Sequence, residues 1–263
     1  MSIRKSPARY TAWSNQPDIP SQRVFRGSPG VRAIAVVPTY NELQNVSNLI
    51  AAIQRTVPEM HVLVVDDGSP DGTGAAVLEL ARQYPDKISL LSRPGKQGLA
   101  QAYCAGFREV LERGYDVIIQ MDADLSHDPA YLPEFLEKIE TADLVLGSRY
   151  LRGVNVVNWD FKRLILSKLA SLYARTITRM PFSDLTGGFK CWRSETLRKI
   201  KLDQVFSSGY LFQIEMTWKA YRLGARIAET PIIFYEREIG RSKINGKIIL
   251  EAVVGVLTLP FHS

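Results

Sequence analysis

Two aspartates separated by one residue, Asp122 and Asp124, are the side chains of this sequence with the clearest potential for chemistry. They follow the apolar run 116–121, whose short length and β-branched residues predict a buried strand of a parallel sheet. If the backbone stays extended through the pair, both carboxylates face the same side at the carboxyl end of that strand, where open α/β sheets bind ligands. Two carboxylates so close together repel each other unless a cation lies between them. Their oxygens suit Mg²⁺ or Mn²⁺, and Mg²⁺ is commonly shared between carboxylates and substrate phosphates. The spacing therefore describes a site for a metal and a pyrophosphate. Asp-x-Asp alone is more often a solvated acidic turn, so the context of the pair must decide between the two.

Composition and charge narrow the class of protein. The chain has 263 residues, of which 46% are hydrophobic and 23% charged, as in ordinary globular proteins with a substantial core. The net charge of +6 suits anionic partners, including nucleotides, phospholipid headgroups and nucleic acid, without choosing among them. Cys104 and Cys191 form neither a metal-binding nor a disulfide spacing, so a reducing cytosol is the expected compartment.

The two ends of the chain differ in texture from its middle. Residues 1–30 contain four prolines, several basic residues and no apolar period, which predicts a flexible basic arm before a single domain at 31–263. We find neither an N-terminal apolar leader nor an apolar run of the ~20 residues that a bilayer-spanning helix needs. We therefore expect a cytoplasmic protein that is not integral to the membrane.

Strand and helix patterns alternate along most of the domain. The strands are expected at 33–37, 61–65, 88–92, 116–121, 143–148 and 226–235. Helices are expected after Asn41, which we predict to be the cap of the first one, with Gln44 completing a capping box, and at 74–83, 98–113, 130–140 and 210–223. Such alternation predicts βαβ units and an α/β fold with a mostly parallel sheet flanked by helices.

Two later segments have amphipathic or apolar helical character. Residues 160–179 place apolar side chains opposite basic ones, which is typical either of a surface helix packed on the core or of a helix that faces a membrane. Residues 248–257 are nearly all apolar, interrupted by Glu251, and their length favours a packed or interfacial helix near 246–259 over a spanning one.

The ends of three predicted strands carry polar residues that could form a nucleotide pocket. These are the segments 38–42, 65–67 and 122–124, which parallel strands would bring to one rim. Tyr40 could stack on a base, and Asp67 could accept a hydrogen bond from a base or a ribose hydroxyl. Neither a P-loop nor a Gly-x-Gly-x-x-Gly fingerprint is found after the first strands, so the phosphates must be held in another way. Taken singly, each of these residues is equally typical of turns and caps.

Six motifs in order resemble the inverting family-2 glycosyltransferases, most closely the dolichol- or polyprenol-phosphate mannose synthases. They are Pro-Thr-Tyr-Asn-Glu at 38–42, Val-Asp-Asp-Gly-Ser-Pro-Asp-Gly-Thr at 65–73, Met-Asp-Ala-Asp-Leu-Ser at 121–126, Gly-Ser-Arg-Tyr at 147–150, Ser-Asp-Leu-Thr-Gly-Gly-Phe at 183–189 and Arg-Glu-Ile-Gly-Arg-Ser-Lys at 237–243. The resemblance extends from about Val31 to about Leu259. It implies a GT-A fold, a GDP-mannose donor, Mg²⁺ or Mn²⁺ as cofactor, and a polyprenyl monophosphate acceptor in the membrane.

The resemblance also implies roles for individual residues. Those expected to hold the guanosine part of the donor are Pro38, Tyr40, Glu42, Val65 and Asp67. Those expected at the metal and pyrophosphate are Asp122, Ala123 and Asp124, with Ser126 as a further metal contact, direct or through water. Those expected at the donor or acceptor phosphates are Arg149, Arg237 and Lys243. Asp124 and Arg149 are the expected catalytic residues.

This chemistry needs no general base, because a phosphomonoester has its second pKa near 6 and its oxygen is already anionic at pH 7. We expect His127 to be a turn residue or a residue behind the metal ligands. Alternatives are a polyprenyl-phosphate glucosyltransferase that uses UDP-glucose, a sugar-nucleotidyltransferase, and a non-catalytic binding module. Relatives that transfer glucose from UDP-glucose often carry two C-terminal transmembrane helices. This sequence shows no such pair, which favours mannose as the sugar. We expect peripheral attachment to the cytoplasmic face of a membrane, with an integral-membrane partner protein as one candidate anchor, and no nucleic-acid partner.

Overall fold

The computed structural model describes residues 30–157, 159, 161–235 and 253–261. The predicted basic arm, apart from Gly30, and the predicted phosphate contacts Arg237 and Lys243 lie outside these residues. The strands are β1 (Ala33–Thr39), β2 (His61–Asp66), β3 (Ile88–Ser92), β4 (Val117–Gln120), β5 (Leu144–Ser148), β6 (Val156–Val157), β7 (Lys190–Arg193), β8 (Ile227–Pro231) and β9 (Phe234–Tyr235). The α-helices with complete bounds are α1 (Leu43–Thr56), α2 (Thr73–Gln83), α3 (Leu99–Glu112), α4 (Leu132–Lys138), α5 (Phe161–Thr178), α6 (Ser194–Lys199) and α7 (Gly209–Arg222). Residues 253–258 are also helical, and 3-10 turns form at Pro129–Tyr131, Leu202–Gln204 and Leu259–Phe261.

The main sheet confirms the predicted α/β architecture. Its order is β3-β2-β1-β4-β7-β5-β8, and every neighbouring pair is parallel except the two pairs that involve β7. Strand β7 was not predicted, because its sequence Lys-Cys-Trp-Arg has charged residues at both ends and no apolar alternation. It nevertheless lies between β4 and β5, with its first three residues buried.

Alternate side chains of the strands enter two separate cores, one on each face of the sheet. Ile34 and Val36 of β1 belong to one core, and Ala35 and Val37 belong to the other. On the first face α3 lies close to the sheet, since a Cβ atom on Gly106 would be 2.5 Å from Cγ1 of Val36. The parallel strands are therefore buried on both faces, which explains why they read as continuous apolar runs.

Three sequence predictions about local structure need correction. Asn41 does not cap α1: it has a φ of 63°, and the helix begins at Leu43, whose N–H donates to Asp71 from another loop at 3.1 Å. The predicted helix 130–140 is a 3-10 turn followed by the shorter α4. The predicted strand 226–235 divides after Pro231, because its partner β5 ends at Ser148; β9 then pairs with β6 in a separate two-stranded sheet.

Helix α5 is amphipathic, but not with its apolar side on the core. Its buried residues are the small or polar Ser171, Ala174 and Thr178. Its exposed large hydrophobic residues are Phe161, Ile165, Leu166, Leu169 and Leu172. Among the described residues, no helix is long and apolar enough to cross a membrane.

Candidate functional site

The sheet brings the three predicted motif segments to one rim, as expected. In the parallel pair of β1 and β2, Pro38 lies beside Val65 and Thr39 beside Asp66. Strand β4 is the other neighbour of β1, and it ends at Gln120 just before the two aspartates. Pro38 and Val65 are buried, and the polar residues of their segments follow them directly at this edge of the sheet.

On the side that we predict to bind the nucleotide, Asp67 is held in place by the protein. Arg93 forms an ion pair with its Oδ1 at 2.7 Å, and the N–H of Gln97 donates to its Oδ2 at 3.1 Å. Tyr40 is half-buried, and the ammonium of the exposed Lys96 lies 4.4 Å from the centre of its ring. A base stacked on that face of Tyr40 would have to displace Lys96 or bind beside it.

Glu42 is also tied into the turn that precedes α1. Its Oε2 accepts a hydrogen bond from Asn45 at 2.8 Å, and its backbone N–H donates to Thr73 at 3.0 Å. These contacts fix the loop that carries Tyr40, and the contact of Glu42 with a nucleoside stays a prediction.

The backbone at Asp122 and Asp124 differs from the predicted one. The strand does not continue through the pair: residues 123–125 bend, and the buried Leu125 has a φ of 64°. The charges of both carboxylates nevertheless act on the buried phenol of Tyr103. A bend, not an extended strand, therefore carries the two aspartates, and Ala123 between them in the sequence is buried.

Tyr103 orients the first of these carboxylates from inside the core. Its hydroxyl donates to Oδ1 of Asp122 at 2.8 Å, and its ring stacks on Phe107 and Phe212. Burial, followed by the charge of Asp122, raises the pKa of Tyr103 well above its usual value. The phenol therefore remains a proton donor that fixes the rotamer of the aspartate.

His127 supports the same turn, in the role that we expected for it. Its Nδ1 accepts the backbone N–H of Asp122 at 3.0 Å, and its ring stacks on Phe189 with the centroids 4.9 Å apart. Because Nδ1 is an acceptor in this bond, it carries no proton. His127 thus positions Asp122 from behind.

Ser126 is directed at Asp124. Its hydroxyl and its backbone N–H both donate to Oδ1 of Asp124, at 2.6 and 3.1 Å. The serine is 2% exposed, so its clearest role in this structure is to hold that carboxylate. A contact between Ser126 and a metal stays a prediction.

The two carboxylates fit a divalent cation that takes only some of its ligands from the protein. Within the described ranges, no cluster of three or more His, Cys, Asp or Glu side chains could form a complete metal cage. Two oriented carboxylates at the edge formed by β1, β2 and β4 match the usual mode of Mg²⁺, which takes its remaining ligands from phosphates and water. Asp122 and Asp124 are the residues that would hold it.

Arg149 lies at the end of β5, deep in the protein. Its Nε and Nη2 bind the two carboxylate oxygens of Asp184 at 2.6 and 2.8 Å, and Nη2 also donates to Thr186 at 2.7 Å. Burial acts to lower the pKa of Arg149, but the charge of Asp184 prevails and raises it. The pKa of Asp184 falls in turn, because Arg149 outweighs the opposing effect of burial. The pair joins the end of β5 to the loop before β7, and the phosphate contact of Arg149 stays a prediction.

The family profile described as Glycosyl transferase family 2 matches residues 34–204. This chain is a family 2 glycosyltransferase. The undecaprenyl-phosphate mannosyltransferase of Micrococcus luteus is 48% identical to it over 226 residues, which cover 86% of this chain and 93% of that protein. The polyprenol monophosphomannose synthase of Mycolicibacterium smegmatis is 46% identical over 229 residues, which cover 87% and 86% of the two chains.

Solved structures show the same fold. Glucosyl-3-phosphoglycerate synthase from Mycobacterium tuberculosis, in complex with Mn²⁺, uridine diphosphate and glucosyl-3-phosphoglycerate, superposes with a TM-score of 0.62. The match covers 87% of this chain and 79% of that one, at 19% sequence identity. The GT-A fold implied by the resemblance is therefore confirmed for this glycosyltransferase.

Sequence reasoning missed several residues that shape the site of this glycosyltransferase. They are Arg93, Lys96, Tyr103, Asp184 and Gly188. Asp184 stood inside a recognised motif, but nothing in its neighbourhood pointed to Arg149 as its partner. Tyr103 lies on the buried side of a helix, where an aromatic residue reads as ordinary core. Only the fold shows that its hydroxyl points at Asp122.

Proposed function

We propose that this glycosyltransferase transfers mannose from GDP-mannose to a polyprenyl monophosphate, with inversion at the anomeric carbon. The observation that carries the proposal is the carboxylate pair Asp122 and Asp124, which hydrogen bonds orient. The pair lies between the edge formed by β1, β2 and β4, where the nucleotide would bind, and the loop before β7. The names of the two relatives, at 48% and 46% identity over most of the chain, supply the sugar and the acceptor class. Mannose from GDP-mannose remains our own inference.

The protein residues of this mechanism bind and orient; they do not move protons. A divalent cation, when bound, stabilises the negative charge of the departing diphosphate, a contribution commonly worth several kcal/mol. Tyr103, His127 and Ser126 hold the two aspartates in the geometry that such an ion requires. The acceptor phosphate is anionic near pH 7 and attacks without a base. Attack from the side opposite the diphosphate converts an α-linked donor into a β-linked product.

Cationic side chains would reduce the repulsion between the two anionic substrates. Lys96 lies on the rim beside Tyr40 and is placed to meet the nucleotide. Arg237 and Lys243 keep the role that the family resemblance implies, the contact with a substrate phosphate. Arg149 would act from its buried ion pair, either on a phosphate directly or by holding the loop before β7.

The surface of α5 supports a lipid acceptor. Phe161, Leu169 and Leu172 are 72%, 56% and 57% exposed, and they share one stripe of the helix. Lys168 and Arg175 are exposed beside this stripe. The C-terminal helical residues Val253, Val254 and Leu257 are exposed too, and Tyr173 of α5 donates to the carbonyl of Val253. An exposed apolar stripe flanked by cations is the pattern of a helix that lies in a membrane interface. We infer peripheral, salt-sensitive attachment.

Transfer of labelled sugar into lipid tests the function. GDP-mannose, labelled in the sugar, and a polyprenyl phosphate should yield labelled lipid in the presence of Mg²⁺ or Mn²⁺, and excess chelator should stop the reaction. UDP-glucose should be a poorer donor, and GDP should bind more tightly than UDP in calorimetric titration with Mn²⁺. Equal use of the two donors would contradict the assignment of mannose. Formation of GTP and mannose 1-phosphate from GDP-mannose and added pyrophosphate, without lipid product, would indicate a nucleotidyltransferase.

Liposome flotation tests the membrane surface separately. The protein should float with anionic liposomes at low salt and detach at high salt, since each basic residue near such a surface contributes ~1 kcal/mol. The double substitution Arg175→Glu with Arg179→Glu should weaken flotation. If flotation and turnover are both unchanged, α5 does not face the bilayer and a partner protein must supply the anchor.

A further inference from the structure

A buried chain of side-chain amides runs from the sheet to the floor of the site. Trp192 of β7 donates from its indole nitrogen to Oε1 of Gln120, at 3.1 Å. Gln120 in turn donates from its Nε2 to Oε1 of Gln213 on α7, at 2.6 Å. Gln120 and Trp192 are fully buried, and Gln213 is 3% exposed.

This chain fixes the orientation of the last amide. An indole N–H can only donate, so the atom of Gln120 that it meets must be the carbonyl oxygen. The other end of Gln120 is therefore its NH₂ group, and the atom of Gln213 that receives it must also be a carbonyl oxygen. The usual ambiguity between the two ends of an amide is thereby resolved, and the NH₂ group of Gln213 is directed away from the core.

The NH₂ group of Gln213 borders the floor of the metal site. A Cβ atom on Gly188 would lie 3.3 Å from Nε2 of Gln213, 3.4 Å from Oδ2 of Asp122 and 3.4 Å from the ring of His127. The absence of a side chain at Gly188 thus leaves the amide open towards the carboxylate. Among the described residues, this Nε2 has no hydrogen-bond partner, although the side chain that carries it is almost completely buried.

The backbone that carries Gln213 is fixed as well. The buried ammonium of Lys190 donates to the carbonyl oxygen of Gln213 at 2.7 Å and to the hydroxyl of Thr217 at 3.0 Å. Lys190 and Trp192 both belong to β7. This strand therefore holds the backbone of Gln213 directly, through Lys190, and its side chain indirectly, through Trp192 and Gln120. Such support from behind is typical of a group that must meet a ligand in one orientation.

The helix that carries Gln213 also borders the apolar surface that we assign to the lipid. Leu211 of α7 packs against Gly255 of the C-terminal helical segment. Tyr210 and Phe206 are exposed large hydrophobic residues at and before the start of α7. Helix α7 therefore links the neighbourhood of Asp122, where the donor diphosphate would bind, to the apolar surface that would receive the polyprenyl chain.

We propose that Nε2 of Gln213 donates a hydrogen bond to a non-bridging oxygen of the acceptor phosphate, and so positions the attacking oxyanion. Gln120 and Trp192 act as positioning residues for this amide. The assignment rests on the proposed function, because it requires a phosphomonoester acceptor. A neutral donor suits this position, since it orients the oxyanion and leaves it unprotonated.

The test compares two substitutions that remove the same amide–amide bond. Gln213→Met keeps the volume and loses the N–H donor, whereas Gln120→Met loses the bond to Gln213 but leaves the donor in the site. Since a hydrogen bond to a charged group contributes ~1.5–3 kcal/mol, Gln213→Met should lower kcat/KM for a short-chain polyprenyl phosphate by about 10- to 100-fold. Gln120→Met should lower it by only a few-fold. The affinity for GDP with Mn²⁺, measured by calorimetry, should stay within about twofold of wild type in both variants.

Each outcome has a distinct meaning. Gln54→Met is the control for the loss of a glutamine outside the site. It removes the hydrogen bond that Gln54, a partly buried residue of α1, donates to the carbonyl oxygen of Met60. Equal losses in Gln213→Met and Gln120→Met, or a parallel loss of GDP affinity, would overturn the assignment of Gln213 to the acceptor. An unchanged Gln213→Met would overturn it too. A wild-type enzyme that forms no lipid product would instead overturn the proposed function, and with it this assignment.

Discussion

Two acidic motifs of this glycosyltransferase lie at the same edge of the sheet and are treated in opposite ways. Asp184 is fully paired with Arg149 inside the protein, where both side chains are buried. Asp122 accepts a hydrogen bond from the hydroxyl of Tyr103, and Asp124 accepts one from the hydroxyl of Ser126. The difference separates a carboxylate held in a buried ion pair from carboxylates that hydroxyl groups orient.

Hydroxyl donors beside Asp122 and Asp124 suit carboxylates that would bind a metal. A hydrogen bond from a hydroxyl fixes the rotamer of a carboxylate, whereas an arginine would also neutralise it and compete with the cation. An internal ion pair serves the opposite purpose. It leaves no net charge in a buried place, where an unpaired ion would be very unfavourable.

The largest effect should come from Asp124→Asn. The amide keeps an oxygen for the N–H and hydroxyl of Ser126 but removes the negative charge. We expect lipid mannosylation to fall by about 10²- to 10³-fold, because preorganised electrostatic groups contribute ~3–4 kcal/mol each. Thermal unfolding should shift little. Near-normal transfer by this variant, at any Mg²⁺ or Mn²⁺ concentration, would show that the pair does not hold the ion.

The converse variant is Asp184→Asn, which should affect stability first. It leaves the guanidinium of Arg149 buried without a counter-charge, and breaking a buried pair in this way costs about 3–5 kcal/mol. Chemical denaturation should show that loss. The control is Arg226→Gln, which removes an ion pair with Asp143 in which the arginine side chain is 65% exposed. Such surface pairs contribute little to stability. Equal losses in the two variants would mean that the Arg149 pair is no more important to the fold than a surface pair.

A smaller effect is expected from Tyr103→Phe. The ring stacks on Phe107 and Phe212 survive, and only the hydroxyl that orients Asp122 is lost. Removal of such a partner behind a metal ligand commonly costs 10- to 100-fold in metal affinity, so the Mn²⁺ titration of the protein with GDP should shift by about that factor. Tyr115→Phe is matched to it, since its hydroxyl contacts His61 at the opposite end of the sheet. If both variants bind Mn²⁺ like wild type, the orientation of Asp122 does not depend on Tyr103.

The sequence predicted the scaffold better than the contacts. Strands such as 61–65 and 88–92 were found within a residue of their observed bounds, because apolar runs of that length leave few alternatives in an α/β chain. Asn41 was misread as a cap because the helix it precedes is capped by Asp71, which only the fold brings near. The partner of Arg149 is 35 positions away in sequence, and the amide chain of Gln120 and Gln213 spans 93. No local pattern encodes such pairs.

The comparison extends to a second buried cation, Lys190, for which the structure shows no carboxylate within ion-pair distance among the described residues. Its ammonium meets the carbonyl of Gln213 and the hydroxyl of Thr217, both neutral. Burial lowers the pKa of Lys190 to about 7, and the more distant charge of Asp184 only opposes this. Arg149 keeps its charge next to Asp184, whereas Lys190 should lose its proton near neutral pH.

The pH dependence of stability follows from that shift. Between about pH 7 and the pKa of 10.5 that an exposed lysine has, the unfolded chain binds a proton at Lys190 that the folded chain does not. The free energy of unfolding should therefore rise with pH across this window, by up to ~1.4 kcal/mol per pH unit, and the gain should vanish as the pH falls to 7. Lys190→Met cannot titrate, and Thr217 still donates to the carbonyl of Gln213 at 3.0 Å, so the variant should keep the fold and lose this slope. Urea denaturation of both proteins from pH 7 to 9.5 measures the difference. Parallel pH profiles would mean that Lys190 stays charged in the folded protein, and that a buried cation can be retained here without the carboxylate that Arg149 has.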